Sequence, residues 1–297
     1  MKLKIQHFYF KELFVLFIGH VFYKILQKFN YEKKYLPLKE EINSLLEENF
    51  EIRRKDNSLL LRKPGCCGDK KILIRPSTSD RFVLRQVVIE NEYLPIINLI
   101  KDKSAINSIR LIVDAGANIG LTTMFFNSYF TDAKIIAVEP EESNFEQLLK
   151  NIKINKLNDR VIPIKKALWI NNTEQLSINN EFRDRRHWAK AVLPSNLDGE
   201  CVLPITLMKI INLYAKNQNI DILKIDVEGT EALLFKSDEF LDTLVEHVSF
   251  LCFEIHKEFM SRDLFHGILN DINFEFIDIG ETTFCFNKSM LKNKAHY

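Results

Sequence analysis

The fold is decided by the stretch Leu111-Ile112-Val113-Asp114-Ala115-Gly116-Ala117-Asn118-Ile119-Gly120. Apolar and β-branched residues lead into an acid and a turn of small residues, and residues 121–126 then have the composition of a helix. This pattern predicts a buried strand, a tight loop and a helix. Gly116 and Gly120 can adopt backbone angles closed to other residues and carry no Cβ, so a ligand can lie against the main chain. We expect a cofactor of the nucleoside type at this turn.

The spacing of the glycines separates two kinds of cofactor. The dinucleotide fingerprint of nicotinamide-dependent oxidoreductases needs Gly-x-Gly-x-x-Gly, and its first glycine is missing because Asp114 and Ala115 precede Gly116. An acid at the strand end would repel a pyrophosphate but attract the positively charged methionine end of S-adenosylmethionine. The stretch therefore favours S-adenosylmethionine, and an ordinary strand-to-helix turn without a ligand is the other alternative.

Length, charge and cysteine content set the broad class. A chain of 297 residues with 46% hydrophobic composition fits one large domain with an extension. The net charge is +1, and residues 1–75 are the basic part, with 16 Lys and Arg against 9 Asp and Glu. Because no nucleic-acid motif or aromatic-interleaved basic platform occurs, we predict no nucleic-acid partner. The five cysteines form neither C-x-x-C pairs nor a disulfide framework, which favours a reducing cytoplasm.

An N-terminal extension at residues 1–75 is predicted to precede the main, cofactor-binding domain at residues 76–297. Residues 8–29 are rich in aromatic side chains, and their longest unbroken apolar run is too short to cross a bilayer. Polar residues recur there at helical spacing: His20, Lys24 and Lys28. This spacing predicts an amphipathic helix with a wide apolar face. It could contact a membrane surface peripherally, dock on the domain or self-associate with a second subunit, or act as a signal-like segment.

The rest of the extension leads toward the domain. Residues 36–50 are predicted to form a short helix, and residues 59–75 a hairpin. Ser79 or Asp80 then offers an N-cap for a helix over residues 82–91. A pocket-facing role for Asp80 is the alternative, because this segment directly precedes the first strand of the domain.

From Leu111 onward, strands alternate with helices, as in a parallel sheet covered on both faces. We predict strands at 111–114, 134–139, 161–165, 221–226, 249–255, 274–279 and 282–286. We predict helices near 120–130, 142–154, 206–217, 229–236 and 257–270. Only Gly280-Glu281 separates the last two strands, so they should form an antiparallel hairpin at the sheet edge. The predicted fold is α/β, a doubly wound, mostly parallel sheet of seven strands, with residues 170–204 as one irregular insertion.

Further cofactor contacts are predicted beyond the glycine turn. Glu139 ends the second strand about 20 residues after that turn, where an acid accepts hydrogen bonds from ribose hydroxyls in this class of sheet. A simple strand terminator before Pro140 is the alternative. By location, Asp159 and Ala167 flank the adenine. The predicted cofactor-binding residues are Asp114, Gly116, Asn118, Gly120, Glu139, Asp159 and Ala167.

Ionisable residues end the fourth and fifth strands. Lys224, Asp226 and Glu228 alternate with apolar residues and share one side of an extended chain, which is costly unless they pair or face a pocket. Glu254 and His256 lie on one face of the next strand. Two neighbouring strands that both end in ionisable residues are typical of a functional site. We predict these residues, Lys224 excepted, to be catalytic, with His256 or Asp226 as general base. They could alternatively hold a divalent ion, but no tight ligand spacing demands one and we predict no metal.

Several motifs are specific when they are taken together. They are Ser79-Asp80, Glu92-Tyr93, Val113 to Gly120, Val138-Glu139-Pro140 and Asp221 to Glu231. This set covers roughly residues 75–286 and resembles the FkbM family of S-adenosylmethionine-dependent methyltransferases, to which Lys-Ile-Asp-Val-Glu-Gly at residues 224–229 points most directly. The resemblance implies a class I, Rossmann-like methyltransferase sheet and O-methylation, commonly of sugar or natural-product hydroxyls.

The chemistry expected of such an enzyme fits both the predicted cofactor-binding residues and the predicted catalytic residues. Transfer of an activated methyl group to an alcohol needs positioning and removal of a proton. Cofactor and acceptor should meet where the strand order reverses. In the insertion, residues 183–188 could form a lid or contact the acceptor, or simply be solvated. We therefore predict a cytoplasmic O-methyltransferase for a small-molecule or glycan acceptor, with an oxidoreductase or a cofactor-binding scaffold that has lost catalysis as alternatives.

Overall fold

The computed structural model describes residues 31–64, 67–179, 191–194 and 201–294. The chain separates into two compact units, Met1–Glu90 and Asn91–Tyr297. The first unit contains the predicted N-terminal extension. The amphipathic helix predicted for residues 8–29 lies outside the described residues. In the described part of the chain, no helix combines the length and the apolar composition needed to span a membrane.

The first unit contains a helix, a small antiparallel sheet and a helical segment. Its elements are α1 (Tyr31–Glu47), β1 (Glu51–Lys55), β2 (Ser58–Arg62), β3 (Lys71–Ile74) and α2 (Asp80–Leu84), followed by a π-helical turn (Arg85–Ile89). The strand order is β1-β2-β3, and Leu59 lies opposite Ile74, which confirms the predicted hairpin. The predicted side-chain cap of α2 is wrong: Ser79 makes no cap hydrogen bond. The buried Asp80 carboxylate instead accepts hydrogen bonds from the backbone and guanidinium of Arg75.

The second unit is built on a seven-stranded sheet. Its strands are β4 (Leu111–Ala115), β5 (Lys134–Val138), β6 (Val161–Ile164), β7 (Ala167–Leu168), β8 (Leu176–Asn179), β9 (Ala191–Pro194), β10 (Cys201–Val202), β11 (Pro204–Ile205), β12 (Ile220–Ile225), β13 (Val248–Glu254), β14 (Phe274–Ile279) and β15 (Thr282–Asn287). The main sheet has the order β14-β15-β13-β12-β4-β5-β6. Only β15 runs antiparallel to its neighbours β13 and β14. This topology confirms the predicted doubly wound, class I methyltransferase-like fold.

The position of β4 explains its composition. It lies between β5 and β12, and all five of its residues are buried. A strand covered on both faces and both edges reads as a continuous apolar run. Because the chain crosses from β6 back to β12 on the other side of β4, the strand order reverses between β4 and β12. In open sheets of this kind, ligands bind at the carboxyl ends of the strands beside such a reversal.

Helices cover both faces of the sheet. They are α3 (Leu94–Asp102), α4 (Leu121–Tyr129), α5 (Glu142–Ile154), α6 (Leu207–Ile210), α7 (Glu231–Leu234), α8 (Asp238–His247), α9 (Arg262–Asp271) and α10 (Lys288–Lys294). The predicted helix at 206–217 is α6 continued by a π-helical turn, Ile211–Ala215. Helix α8 was not predicted, although Ser237 caps it by accepting a hydrogen bond from the backbone N–H of Phe240.

The insertion is more regular than predicted. In its described parts, β8 pairs with β9 and β10 in a small antiparallel sheet, and β11 pairs in parallel with β7. The prediction of one irregular segment over residues 170–204 is therefore wrong for these parts. Strands of two to four residues are too short to give a periodic signal in the sequence. The predicted lid residues 183–188 lie outside the described part.

Candidate functional site

An open cleft lies at the carboxyl ends of the central strands and has a volume of about 620 Å³ when the open solvent at its mouth is included. Three groups of residues line it: the loop after β4 with the end of β5, the β7–β8 region, and the turn after β12. The predicted site residues among them are Gly116, Asn118, Glu139, Ala167, Asp226 and Glu228. Ile178 of the insertion also contributes to the wall. The cleft thus brings residues predicted to bind cofactor next to residues predicted to act on the acceptor.

Gly116 lies where the two sides of the cleft touch. Its φ is +78°, and a Cβ built on it would lie 1.7 Å from the carbonyl oxygen of Asp226. Its backbone N–H donates a hydrogen bond of 2.9 Å to the carbonyl of Val138. Any side chain at this position would have to push the β4 loop away from the β12 turn, so the sequence requires glycine here.

Glu139 is a buried carboxyl in the wall of the cleft. Its side chain accepts hydrogen bonds from the backbone N–H of Asn118 at 2.8 Å and of Glu141 at 3.0 Å. Burial raises the pKa of Glu139 to about 7, although these hydrogen bonds favour the ionised form. The two amides fix the orientation of the carboxylate, and a carboxylate offers about four lone-pair positions. Acceptor capacity therefore remains at the cleft.

Lys224 joins the β4 loop to the β12 turn. Only 1% of the residue is exposed, and its Nζ donates a hydrogen bond of 2.7 Å to the carbonyl oxygen of Gly116. Nζ also lies 3.4 Å from Asp114 Oδ1 and 3.4 Å from Asp226 Oδ2. Burial alone would lower the pKa of Lys224, but the charges of Asp226 and Asp114 outweigh it and raise that pKa. Lys224 therefore forms ion pairs with both acids, while Asp226 also lines the cleft.

The structure does not bring every predicted cofactor residue into the cleft. Asp114 is 0% exposed, and its Oδ2 accepts a 2.6 Å hydrogen bond from Thr123 Oγ1. Its carboxylate faces the interior, so it does not present the exposed charge that the sequence analysis expected. Gly120 precedes α4 with φ +86°, and Asp159 is exposed in the turn before β6. Cofactor contacts by these three residues remain predictions.

The turn after β12 aims the acidic side chains. Lys224 and Asp226 lie side by side as predicted, but β12 ends at Ile225 and the predicted alternation along one extended chain does not reach Glu228. Glu228 instead adopts φ +55°, a left-handed conformation that costs energy in a residue with a Cβ. The turn still places both Asp226 and Glu228 in the wall of the cleft.

Glu231 organises this turn and was missed as a site residue. Its Oε1 accepts a hydrogen bond of 2.8 Å from the Val227 N–H, and its Oε2 accepts one of 2.7 Å from the Gly229 N–H. Oε2 also lies 3.1 Å from His256 Nδ1. The sequence showed only an acid at the first residue of a helix, where negative charge is favourable. Its link to His256 depends on the folded turn.

The acidic and basic side chains near the turn, Glu254, His256 and Asp226, differ in the direction of their pKa shifts. Burial raises the pKa of Glu254 to about 9, and the charge of Asp226 adds to this effect. Burial would lower the pKa of His256, but the hydrogen bond and charge of Glu231 outweigh it and raise that pKa to about 10. For Asp226, burial is outweighed by the charges of Lys224 and His256, which lower its pKa. Of the two predicted general bases, Asp226 is therefore the one that is unprotonated at neutral pH.

Glu92 is a further carboxyl near this group. Its Oε1 accepts a hydrogen bond of 3.0 Å from Thr282 Oγ1. Burial raises the pKa of Glu92, and the charge of Asp226 raises it further. Glu92 was not predicted as a site residue, because its distance in sequence from Asp226 gives no sign that the two charges interact.

Comparisons with known proteins identify one family. A family model described as the Methyltransferase FkbM domain matches residues 114–275. No curated protein matches the chain. Among solved structures, a human methyltransferase 10 domain containing protein has 14% identity and a TM-score of 0.40, covering 66% of this chain and 80% of that one. A putative caffeoyl-CoA O-methyltransferase from Staphylococcus aureus has 14% identity and a TM-score of 0.40, covering 69% and 91%. The N-terminal domain of human METTL16 in complex with SAH has 14% identity and a TM-score of 0.42, covering 66% and 67%.

Proposed function

The chain belongs to the FkbM methyltransferase family, and we propose that it transfers a methyl group to a hydroxyl oxygen of a small-molecule acceptor. Its cofactor is S-adenosylmethionine, the methyl donor of this family. The proposed acceptor is a saccharide, a glycan precursor or a hydroxylated natural product. Membership in a methyltransferase family removes the alternative of a nicotinamide-dependent oxidoreductase.

The residues of the β4–β5 side fit the nucleoside part of this cofactor. Gly116 leaves the main chain uncovered at the cleft, and Glu139 keeps acceptor capacity for ribose hydroxyls. Val138, Ala167 and Ile178 give the same wall apolar surface on which a purine can pack. We propose that these residues hold the nucleoside.

The observation that carries the proposed chemistry is an ionised carboxylate beside the cofactor wall. When bound, S-adenosylmethionine supplies an activated methyl group. Asp226 lines the cleft, its side chain is 29% exposed, and its low pKa keeps it ionised. We propose that Asp226 orients the acceptor hydroxyl and takes its proton as the oxygen is methylated. Lys224 holds this carboxylate in place from the buried side.

The charge of the acceptor side supports a hydroxyl-rich, uncharged acceptor. Asp226 and Glu228 are hydrogen-bond acceptors in the cleft wall, and sugar hydroxyls are donors of matching chemistry. The same carboxylates would repel phosphates, which supports the predicted absence of a nucleic-acid partner. Glu228, Glu254 and His256 are proposed to complete the site around Asp226.

Two predictions about the cellular context remain proposals. The cytoplasmic location is supported by the buried free thiols of Cys252 and Cys285, which suit a reducing compartment. Peripheral contact with a membrane, or self-association, through residues 8–29 rests on the sequence alone.

A methyl-transfer assay tests the proposal. Purified full-length protein and isotopically labelled S-adenosylmethionine are incubated with a panel of glycans, hydroxylated natural products, amines and thiols. We expect label on hydroxyl oxygen, and a fall in kcat of about 100-fold or more in Asp226→Asn with little change in cofactor affinity. Asp263→Asn, an exposed acid at the start of α9, is the matched control and should retain full activity.

Three outcomes would contradict parts of the proposal. Label that appears only on nitrogen or sulfur would overturn O-methylation. A wild-type protein that binds cofactor but labels no acceptor would favour the scaffold alternative. Unchanged turnover in Asp226→Asn would overturn the role of that carboxylate as general base.

A further inference from the structure

A group of potential metal ligands lies at the ends of β12 and β13. Asp226, Glu254 and His256 each offer one ligand atom, and these three atoms all lie within 4.8 Å of one another. The parallel pairing of Ile225 with Phe253 sets Asp226 beside Glu254. The ligand group is therefore preformed by the two central strands of the sheet.

His256 adds an independent sign of a ligand. Its side chain is 2% exposed, and its Nε2 has no hydrogen-bond partner. This nitrogen lies 3.6 Å from Glu228 Oε2 and 3.8 Å from Glu254 Oε1, so it is aimed into the group of carboxylates. The other ring nitrogen, Nδ1, is held by Glu231. A histidine that binds a metal through one nitrogen commonly donates its other N–H to a carboxylate in this way.

The charges of the cluster also favour a cation. Lys224 is shared between Asp114 and Asp226, at 3.4 Å from each. Three further carboxyl groups surround the His256 ring: Glu228, Glu231 and Glu254. Burying several carboxylates is costly unless positive charge lies among them. A divalent ion between His256 Nε2 and the carboxylates would provide this charge in place of the protons that these ligand groups otherwise hold.

We propose that Asp226, Glu254 and His256 bind one divalent cation of the Mg²⁺ or Mn²⁺ class, through two carboxylate oxygens and the imidazole Nε2. Oxygen-rich ligand sets suit these ions, and cis ligand atoms around an octahedral ion lie about 3 Å apart. Small side-chain movements would bring the three ligand atoms to that spacing. This inference goes beyond the metal-free site predicted from the sequence.

The ion gives the acceptor side a specific role. Three protein ligands leave coordination positions open for water or for oxygens of the acceptor. A hydroxyl bound to the ion would have a lower pKa and would be easier to deprotonate. A vicinal diol, as in a sugar or a catechol, offers two oxygens to such an ion. This role rests on the proposed function, whereas binding of the ion does not.

Ion binding is tested on full-length protein without methyl donor or acceptor. Metal-free protein is titrated with MnCl₂ while electron paramagnetic resonance measures free Mn²⁺, and MgCl₂ is then added as competitor. We expect one Mn²⁺ per chain, displaced by Mg²⁺, and at least about tenfold weaker Mn²⁺ binding in Glu254→Gln. Glu275→Gln, an exposed glutamate of β14, is the matched control and should bind like the wild type.

Folding and methylation data make the outcomes distinguishable. Thermal unfolding by circular dichroism establishes that Glu254→Gln is folded, and Asp226→Asn replaces it if it is not. The inference is overturned if folded wild-type protein binds no Mn²⁺ at millimolar concentration, or if the folded variant binds it as tightly as the wild type. Methylation of a hydroxyl by protein that binds no ion would overturn this inference alone. Ion binding without any hydroxyl methylation would overturn the proposed function alone.

Discussion

The two sides of the cleft consist of different chemical groups. On the β4–β5 side, main-chain groups and one carboxyl, Glu139, define the surface, and Gly116 is held by close backbone contact. On the β12–β13 side, ionisable side chains dominate, and Lys224 ties them to the other half. The contrast indicates that backbone shape governs cofactor affinity, whereas charge governs chemistry. Substitutions on the β4–β5 side should therefore lower cofactor affinity, and substitutions of the acids on the β12–β13 side should lower turnover.

Substitution of Gly116 should have the largest effect on cofactor binding, because it disturbs both sides of the cleft. In Gly116→Ala the new Cβ would overlap the Asp226 carbonyl oxygen, at 1.7 Å. We expect a loss of about 3 kcal/mol in cofactor binding, or about 100-fold, by calorimetric titration with S-adenosylhomocysteine. Gly280→Ala is the control for backbone conformation, since Gly280 has φ +65° but nothing within 4 Å of its Cβ position. Equal cofactor affinity in the two variants would show that the contact of the two loops is unimportant.

Replacement of Lys224 should destabilise the β12 side of the cleft and lower the free energy of unfolding. Lys224→Met leaves the buried charge of Asp114 uncompensated, and we expect the free energy of unfolding to fall by about 3–5 kcal/mol in urea titrations. The exposed Lys236 provides the control Lys236→Met, which should change stability by less than about 0.5 kcal/mol. A Lys224→Met protein as stable as this control would mean that Lys224 is not needed to hold the acids.

Glu139 should make the cofactor affinity of the β4–β5 side depend on pH. Its pKa of about 7 means that the carboxylate forms as the pH rises through neutrality, so cofactor affinity should increase from about pH 6 to about pH 8. Burial is the main cause of the raised pKa and the charge of Glu141 adds to it, while hydrogen bonds from the backbone N–H groups of Glu141 and Asn118 and from the Asn144 side chain oppose it. In Glu139→Gln, calorimetry should give a flat pH profile and about tenfold weaker binding at high pH. An unchanged pH profile would show that another group controls affinity.

The same pKa has a stability consequence of defined sign. The pKa of Glu139 is about 7 in the folded chain, above the ordinary glutamate value of 4.5 that applies when the chain is unfolded, so ionisation favours the unfolded chain. Stability of the wild type relative to Glu139→Gln should therefore fall as the pH rises from about 4.5 to about 7. Chemical unfolding of both proteins across this range measures the difference. A rise with pH would contradict the assigned cause.

The smallest effect is expected at the outer edge of the cofactor side. Asp159 is exposed, so Asp159→Asn should weaken cofactor binding by about threefold at most in the same titrations. A loss of tenfold or more would place the adenine closer to the β6 turn than the lining of the cleft indicates.

The sequence predicted the main sheet well, because its inner strands β4 and β12 are fully buried and its edge strand β14 alternates more buried and more exposed residues. β14 was predicted without error, and β4, β5 and β12 to within one residue at each end. Two roles could not be predicted. The cofactor contact of Asp114 stays a prediction, but its pairing with the buried Lys224 follows from the β4–β12 register and could not be predicted. Glu231 acts through a folded turn. Strand register and turn geometry depend on tertiary packing, which hydrophobic periodicity alone does not predict.

The division of labour between the two sides is tested most directly by one set of titrations. S-adenosylhomocysteine is titrated into wild type, Glu139→Gln and Asp226→Asn at about pH 8, where Glu139 is ionised. We predict binding to one site in the wild type, about tenfold weaker binding in Glu139→Gln, and affinity close to that of the wild type in Asp226→Asn. Strong loss in Asp226→Asn with full affinity in Glu139→Gln would contradict the account.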